Sequence, residues 1–560
     1  MSQPIRFGLL AIVVFGAAHT AAQPAPPDLI LHHANIYTAA DAAPRASALA
    51  IRGSRLVAVG DDPAILALKG PATRVVDLEG RTVVPGLNDA HGHFTNLGAS
   101  LQRLDFRGMT SWEAIVAAVR QKAAAARPGE WILGRSWDQN LWASKAFPTH
   151  NELDAAAPDN PVYLTRVDGH AGVANARAMA LAGVTRDTRD PDGGRIIRDA
   201  SGRPTGTFVD DAQALIASHI PPESDAQLVD EILLADRECR RLGLTMVHDA
   251  GTNQRTIDQY ARLSDEGRLQ TRIYAMVRGS LDELEPFFRR GPILDHHDYH
   301  LVVRAIKIIA DGALGSRGAA MLEDYSDEPG NRGLLTTPPD VVYAQTLAAS
   351  KAGFQTCIHA IGDRANREVL DVFARVQQEV PGSKALRMRD EHAQILSPAD
   401  IPRFAALGVV ASMQPTHCTS DMPWAPARIG PKRIADGAYV WQKLMKTGVV
   451  IASGSDFPVE QPNPMLGFYA AITRQDVHGN PPGGWAPDQR MSRIEALKSF
   501  TINAAYAAHL EHELGTLEPG KLADLVVLSG DIMTEAPAAI LTTTVVKTMI
   551  GGAWVYERQP

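Results

Sequence analysis

Pro85-Gly86-Leu87-Asn88-Asp89-Ala90-His91-Gly92-His93 is the stretch on which the fold turns. In an extended segment, side chains two apart share a face, so His91 and His93 aim both imidazoles at one point. Two neutral imidazoles suit Zn²⁺ and other borderline metal ions. Alone, a His-x-His is a weak signal that packing or a surface pair also satisfies. Its weight comes from the chain on either side.

Downstream, buried-type strands alternate with helix-like stretches, the pattern of βα units. Strands are expected at 82–93, 244–251, 271–277, 303–312, 354–363, 387–394, 409–417 and 449–459. Eight parallel strands close into a barrel whose working groups sit at the C-terminal strand ends. Lys307 lies within an apolar run, where an unpaired ammonium is costly to bury; its head either pairs with a carboxylate such as Asp311 or serves a site at the barrel mouth. Further strands end in Cys357-Ile358-His359, Asp390-Glu391-His392-Ala393-Gln394 and Ser453-Gly454-Ser455-Asp456. Any one of these His or Asp residues suits a hydrogen-bonded structural role. Together they put His91, His93, Lys307, His359, His392 and Asp456 around one barrel mouth, which packing does not explain.

The gap from 94 to 243 far exceeds a βα loop of about 2–6 residues and predicts an inserted subdomain. Within it 111–126 reads as helix, while 134–142 and 190–194 read as loops. Upstream, from 28 to 84, short apolar runs are broken by turn residues, and the same texture returns only near the C-terminus. The expected architecture is α/β: a distorted (β/α)₈ TIM barrel over 85–513, including the 94–243 insertion, with a composite β-sandwich from 28–84 plus 514–557.

Composition narrows the function. The 560 residues are 45% apolar and 21% charged, an ordinary globular balance. A net charge of −8 without a basic block disfavours nucleic-acid or anionic-membrane partners. Cys239, Cys357 and Cys418 are too few and too scattered for a disulfide framework and read as buried small side chains. Arg6, the apolar run from Phe7 to Ala18 and Thr20-Ala21-Ala22 form the pattern of a secretory signal over 1–22. Export is therefore expected, to the periplasm in a diderm host, with no membrane span after cleavage. A homo-oligomer is left open.

The ordered set Pro85-Gly86, His91-Gly92-His93, Lys307 with Asp311-Gly312, Ile358-His359-Ala360-Ile361-Gly362-Asp363, Glu391-His392-Ala393-Gln394, Gln414-Pro415-Thr416-His417, Ser455-Asp456-Phe457-Pro458 and Gly520-Lys521 through Leu528 resembles the amidohydrolase superfamily. More narrowly it is similar to the amidohydrolase-3 branch that includes N-substituted formamide deformylase. The resemblance implies two divalent ions, most simply Zn²⁺, held by His91, His93, Lys307 as its N6-carboxylated form, His359, His392 and Asp456. It also implies hydrolysis of a C–N bond of amide type, such as N-formyl or N-acyl, in a small molecule by a metal-activated hydroxide, with Asp456 as the catalytic acid/base. Substrate contacts are expected from Trp137, Asp138, His170, Arg317, Gln414 and His417, each of which also suits a structural role. The alternatives are a deaminase or a cyclic amide or lactone hydrolase on the same barrel and, more remotely, a binding protein without catalysis. Neither a Gly-x-Ser-x-Gly elbow nor a His-Glu-x-x-His helix is present.

Overall fold

The computed structural model describes residues 25–166, 171–191, 194–315 and 317–559. Its centre is a barrel of parallel strands β1 (Leu87–Gly92), β2 (Leu244–Thr252), β3 (Arg272–Val277), β4 (Leu301–Ile309), β5 (Gln355–Ala360), β6 (Arg389–His392), β7 (Val410–Met413) and β8 (Ile451–Ser453), ordered by sequence around the sheet. β3 and β4 read as near-continuous apolar runs because both faces are buried, whereas β1 and β6 carry the polar residues Asn88, Asp89, His91, Arg389, Asp390, Glu391 and His392. In β3, Ile273, Ala275 and Val277 join the core under the helices, while Tyr274 and Met276 fill the interior. The same alternation in β4 turns Ile306 and Ile308 outward and Lys307 inward.

The barrel closes between its first and last strands without a regular ladder. Instead the chain beyond β8 supplies the bonds: Asp456 N–H donates to the His91 carbonyl at 2.7 Å, and His93 N–H donates to that of Phe457 at 2.8 Å. A Cβ at Gly92 would meet the Phe457 ring at 2.6 Å, so this approach requires glycine. The seam and the His-x-His motif are thus one piece of structure.

The expected strand 82–93 is two strands. Thr82–Pro85 pairs antiparallel with Leu525–Leu528 in a six-stranded sheet drawn from both chain ends. At Gly86 the chain changes sheets: Gly86 N–H donates to the Asp524 carbonyl, and Leu87 N–H to that of Gly243. A four-stranded sheet of Leu29–His32, Ala48–Arg52, Arg55–Gly60 and Arg74–Asp77 packs on the six-stranded one through Leu31, Leu49, Ile51, Val83, Leu525 and Val527.

Between β1 and β2 lies another six-stranded sheet, running from Leu104–Asp105 to Pro204–Asp210 in sequence. Its helix Trp112–Ala125 begins at Ser111, whose side chain accepts from Ala114 N–H. Part of the expected loop 134–142 is strand, because Ile132–Trp137 pairs with Val162–Arg166. Arg135 reaches the Pro458 carbonyl at 3.4 Å, which ties this sheet to the loop after β8. All three cysteines are buried and free. Among the described residues no helix is long and apolar enough to cross a membrane; the 1–22 segment lies outside them.

Candidate metal centre

Strand register brings the side chains together. Pairing of β4 with β5 sets Lys307 beside Cys357 and Ile309 beside His359, and β5 with β6 sets Ala360 beside His392. Lys307 Nζ lies 3.2 Å from His91 Nε2. The His392 ring stands 4.7 Å from that of His91 and 4.5 Å from that of His359. Asp456 follows β8 rather than ending it, in a left-handed backbone conformation (φ 60°). That turn aims its Oδ1 at His93 Nε2, 3.1 Å away, and at His91 Nε2, 3.7 Å away. All six residues expected to share a site do meet.

Of the five expected substrate contacts among the described residues, His417 and Gln414 reach this cluster. Strand β7 stops at Met413 because Pro415 opens a helix, Pro415–Asp421, and His417 sits on its first turn. His417 Nε2 is 3.6 Å from Asp456 Oδ2, and its ring stacks on His392 at 5.8 Å. Gln414 is buried, and its amide oxygen accepts from His392 Nδ1 at 2.8 Å. Trp137 is fully buried in the core of the inserted sheet, with its indole N–H donated to the Leu164 carbonyl. Asp138 pairs with Arg166 at 2.8 Å, and Arg317 with Asp327 and Glu328 at 2.9 and 3.2 Å. His170 lies outside the described residues.

Glu391, Arg389, Asp89 and Asp311, none of them expected to hold metal or touch substrate, support the cluster. Glu391 Oε2 is 2.5 Å from His91 Nδ1, and its Oε1 is 2.7 Å from Arg389 Nε. Arg389 also donates to His248 Nδ1, the Ala90 carbonyl and Ser412 Oγ. Burial works against the Glu391 anion, but Arg389 and His91 hold its carboxyl well below the usual range. Asp89 accepts from the N–H of His91 and from both the N–H and hydroxyl of Ser455, joining the two sides of the seam; burial still pushes its carboxyl up to about 7. Asp311 does not serve Lys307. It accepts from the backbone N–H groups of Ala320, Ile361 and Gly362 and orders the loops beside His359. The signal for these residues was present: a charge within a buried strand must have a partner.

Electrostatics favour neutral, lone-pair-bearing His91 and His359 beside an ionised Asp456. Burial, aided by Lys307, pulls His91 down to about 4 and His359 to about 3. Burial opposes the Asp456 anion too, yet the hydrogen bond from His93 and the surrounding imidazoles hold its carboxyl well below the ordinary range. His359 Nε2 and His417 Nε2 are buried, and no group among the described residues hydrogen-bonds to them. Unsatisfied buried nitrogen atoms call for a partner, and a divalent cation fits these imidazoles together with the Asp456 carboxylate. Two overlapping groups, His91/His93/Asp456 and His392/His417/Asp456, each bring their ligand atoms within 4.8 Å of one another.

The amidohydrolase family model matches residues 74–556. Over 541 residues the chain is 34% identical to Protein LONG AFTER FAR-RED 3 of Arabidopsis thaliana, covering 94% of this chain and 91% of that protein. It is 28% identical over 541 residues to N-substituted formamide deformylase of Arthrobacter pascens, covering 95% of this chain and 98% of that one. The crystal structure of an uncharacterized metal-dependent hydrolase from Pyrococcus horikoshii OT3 superposes with a TM-score of 0.76 at 28% identity, over 91% of this chain and 99% of the other.

Proposed function

This chain belongs to the amidohydrolase family, and from that premise we propose that it hydrolyses a carbon–nitrogen bond of amide type, such as an N-formyl or N-acyl bond, in a small molecule. One observation carries the reading: His359 Nε2 and His417 Nε2 are buried without hydrogen-bond partners among the described residues, within a cluster of five imidazoles gathered around the Asp456 carboxylate. We assign His91, His93, Lys307, His359, His392 and Asp456 to hold two divalent ions, with Zn²⁺ first among them. When bound, such ions supply Lewis acidity, lowering the pKa of water towards about 7 and polarising a carbonyl.

The protein's own groups do the rest. Lys307 contributes as a carbamate. Burial lowers the pKa of its amine, which favours the neutral nitrogen that adds CO₂ with loss of a proton. Asp456, an anion at neutral pH, takes a proton from water and gives it to the departing nitrogen, since an amine leaves poorly as an anion. The site opens on the side of His93, whose side chain is 29% exposed, while His91 and Glu391 seal the inner wall at 1% and 0%. Asp456 therefore stands between the sealed wall and the side from which substrate arrives. Cleavage of an N-formyl or N-acyl bond is favoured here because a relative covering nearly the whole chain is named N-substituted formamide deformylase. We further propose that residues 1–22 direct export.

The test is a hydrolysis screen over N-formyl, N-acyl, carbamate, dipeptide and cyclic-amide compounds, with chelated and Zn²⁺-reconstituted protein. Turnover of open-chain amides that is lost on chelation and restored by Zn²⁺ is expected. Preference for cyclic amides or ammonia release would move the assignment to the alternative reactions, and undiminished turnover in metal-free protein would overturn it.

A further inference from the structure

We propose that His417 is a metal ligand, completing with His392 and Asp456 a second cation position beside the one formed by His91, His93 and Asp456. The inference rests on the metal-dependent reading above and replaces the expected role of His417 in binding substrate.

Distances separate the two roles. His417 Nε2 and Asp456 Oδ2 are 3.6 Å apart, too long for a hydrogen bond. Two ligands at about 2.0–2.1 Å from one tetrahedral ion lie about 3.3 Å apart. The 3.1 Å between His93 Nε2 and Asp456 Oδ1 brackets the same value from below. The Asp456 carboxylate thus presents Oδ1 to one histidine group and Oδ2 to the other, and each group keeps its ligand atoms within 4.8 Å.

The turn after β7 builds the second group. Gln414 accepts from His392 Nδ1, which leaves His392 Nε2 to act as a ligand. Three residues on, His417 N–H donates to the Gln414 carbonyl at 3.1 Å, fixing the histidine on the first turn of its helix. The His417 and His392 rings are nearly parallel, 17° apart. His417 Nε2 is buried and has no hydrogen-bond partner among the described residues. A nitrogen waiting for substrate would face the opening; this one faces Asp456. Imidazole and carboxylate donors select a Zn²⁺- or Co²⁺-like ion over Mg²⁺ or Ca²⁺.

The experiment is a Co²⁺ titration of metal-free protein, followed by visible absorbance and by metal content after gel filtration. Wild-type protein should take up two equivalents. His417→Gln and His417→Ala should retain one and bind the second more than about 100-fold more weakly, beyond the 10–100-fold cost of losing an outer-shell partner. If both variants hold two equivalents at wild-type affinity and only KM rises, His417 contacts substrate and the inference fails. Fewer than two equivalents in wild-type protein would instead strike the binuclear reading itself. Anomalous diffraction from Zn²⁺-loaded wild-type crystals gives an answer that does not depend on how the variants fold. An ion about 2.0–2.1 Å from His417 Nε2 supports the proposal, and one beyond ligand distance overturns it.

Discussion

Glu391 Oε2 sits 2.5 Å from His91 Nδ1, with both side chains shut away from solvent. That contact puts the His91 proton on Nδ1 and turns Nε2 towards Lys307 and Asp456. Arg389 holds the other carboxylate oxygen and is itself fully buried. Glu391→Gln removes the anion from between two groups that depend on it. Metal affinity should fall about 10–100-fold, and stability by about 3–5 kcal/mol, because the Arg389 charge stays buried without its counter-ion. Chelator competition and urea unfolding measure the two effects. Unchanged affinity would show that His91 needs no such support.

Asp456→Asn keeps the size and hydrogen-bonding reach of the side chain but cannot carry a proton between water and the leaving nitrogen. Turnover should drop by about 10²–10⁴-fold, the usual span for a general acid/base. Metal should bind more weakly but still load at saturating Zn²⁺, since the amide oxygen can coordinate and the histidines and Lys307 remain. Near-normal activity would take Asp456 out of proton transfer.

Lys307→Ala tests the carbamate. With His91 Nε2 3.2 Å from Lys307 Nζ, a plain ammonium would repel any cation held by that histidine. The substitution should reduce bound metal by about half, and formate, acetate or propionate should restore part of it by supplying a carboxylate in the vacated space. Full metal loading without added carboxylate would refute the bridging role.

Much of this site was legible because a barrel gathers its strand ends. Once His91, His359 and His392 were placed at the C-terminal strand ends of one barrel, their meeting followed from the fold. Errors came where local chemistry cut a strand short. The strand expected over 409–417 ends at Met413, because Pro415 starts a helix and carries His417 with it. Asp456 lies beyond β8 because the chain must turn to reach His91 and close the seam. Glu391, Arg389 and Asp89 were overlooked although the burial argument applied to Lys307 covers them equally. Trp137 packs in the core of the insertion, which is large enough to need one of its own, and Trp112 and Trp142 pack there with it.

Acid sensitivity can be traced to a histidine outside the site. Burial, reinforced by the charges of Arg304 and Arg387, pulls His509 down to about 4, whereas in an unfolded chain it titrates near 6.5. Between those values the unfolded chain binds a proton that the folded one refuses. The contribution of His509 is therefore complete above pH 6.5 and is lost as pH falls towards 4. Asp89 and Asp311, both raised to about 7, act with the opposite sign and are the same in wild type and variant. His509 has φ 60°, which Asn tolerates. Urea unfolding of the metal-free proteins from pH 4 to 7 should show a shallower dependence for His509→Asn, and parallel curves would contradict the assignment.

Gly454 is where barrel closure and site assembly coincide most tightly. A Cβ there would stand 2.5 Å from the His91 backbone nitrogen and 2.6 Å from Asp89 Oδ1. Neither neighbour can yield cheaply, since one belongs to β1 and the other binds Ser455. Gly454→Ala must therefore push β8 away from β1, which lengthens the Asp456 N–H bond to the His91 carbonyl and moves the carboxylate relative to His91 and His93. Overpacking of this kind costs about 1–3 kcal/mol. The loss of metal affinity should be the larger effect, because the seam itself positions a ligand. Thermal unfolding with and without Zn²⁺ distinguishes the two: the stabilisation conferred by the ion should shrink in the variant. If Gly454→Ala lowered the metal-free melting temperature but left that increment intact, the seam would be a structural closure with no hold on the metal centre.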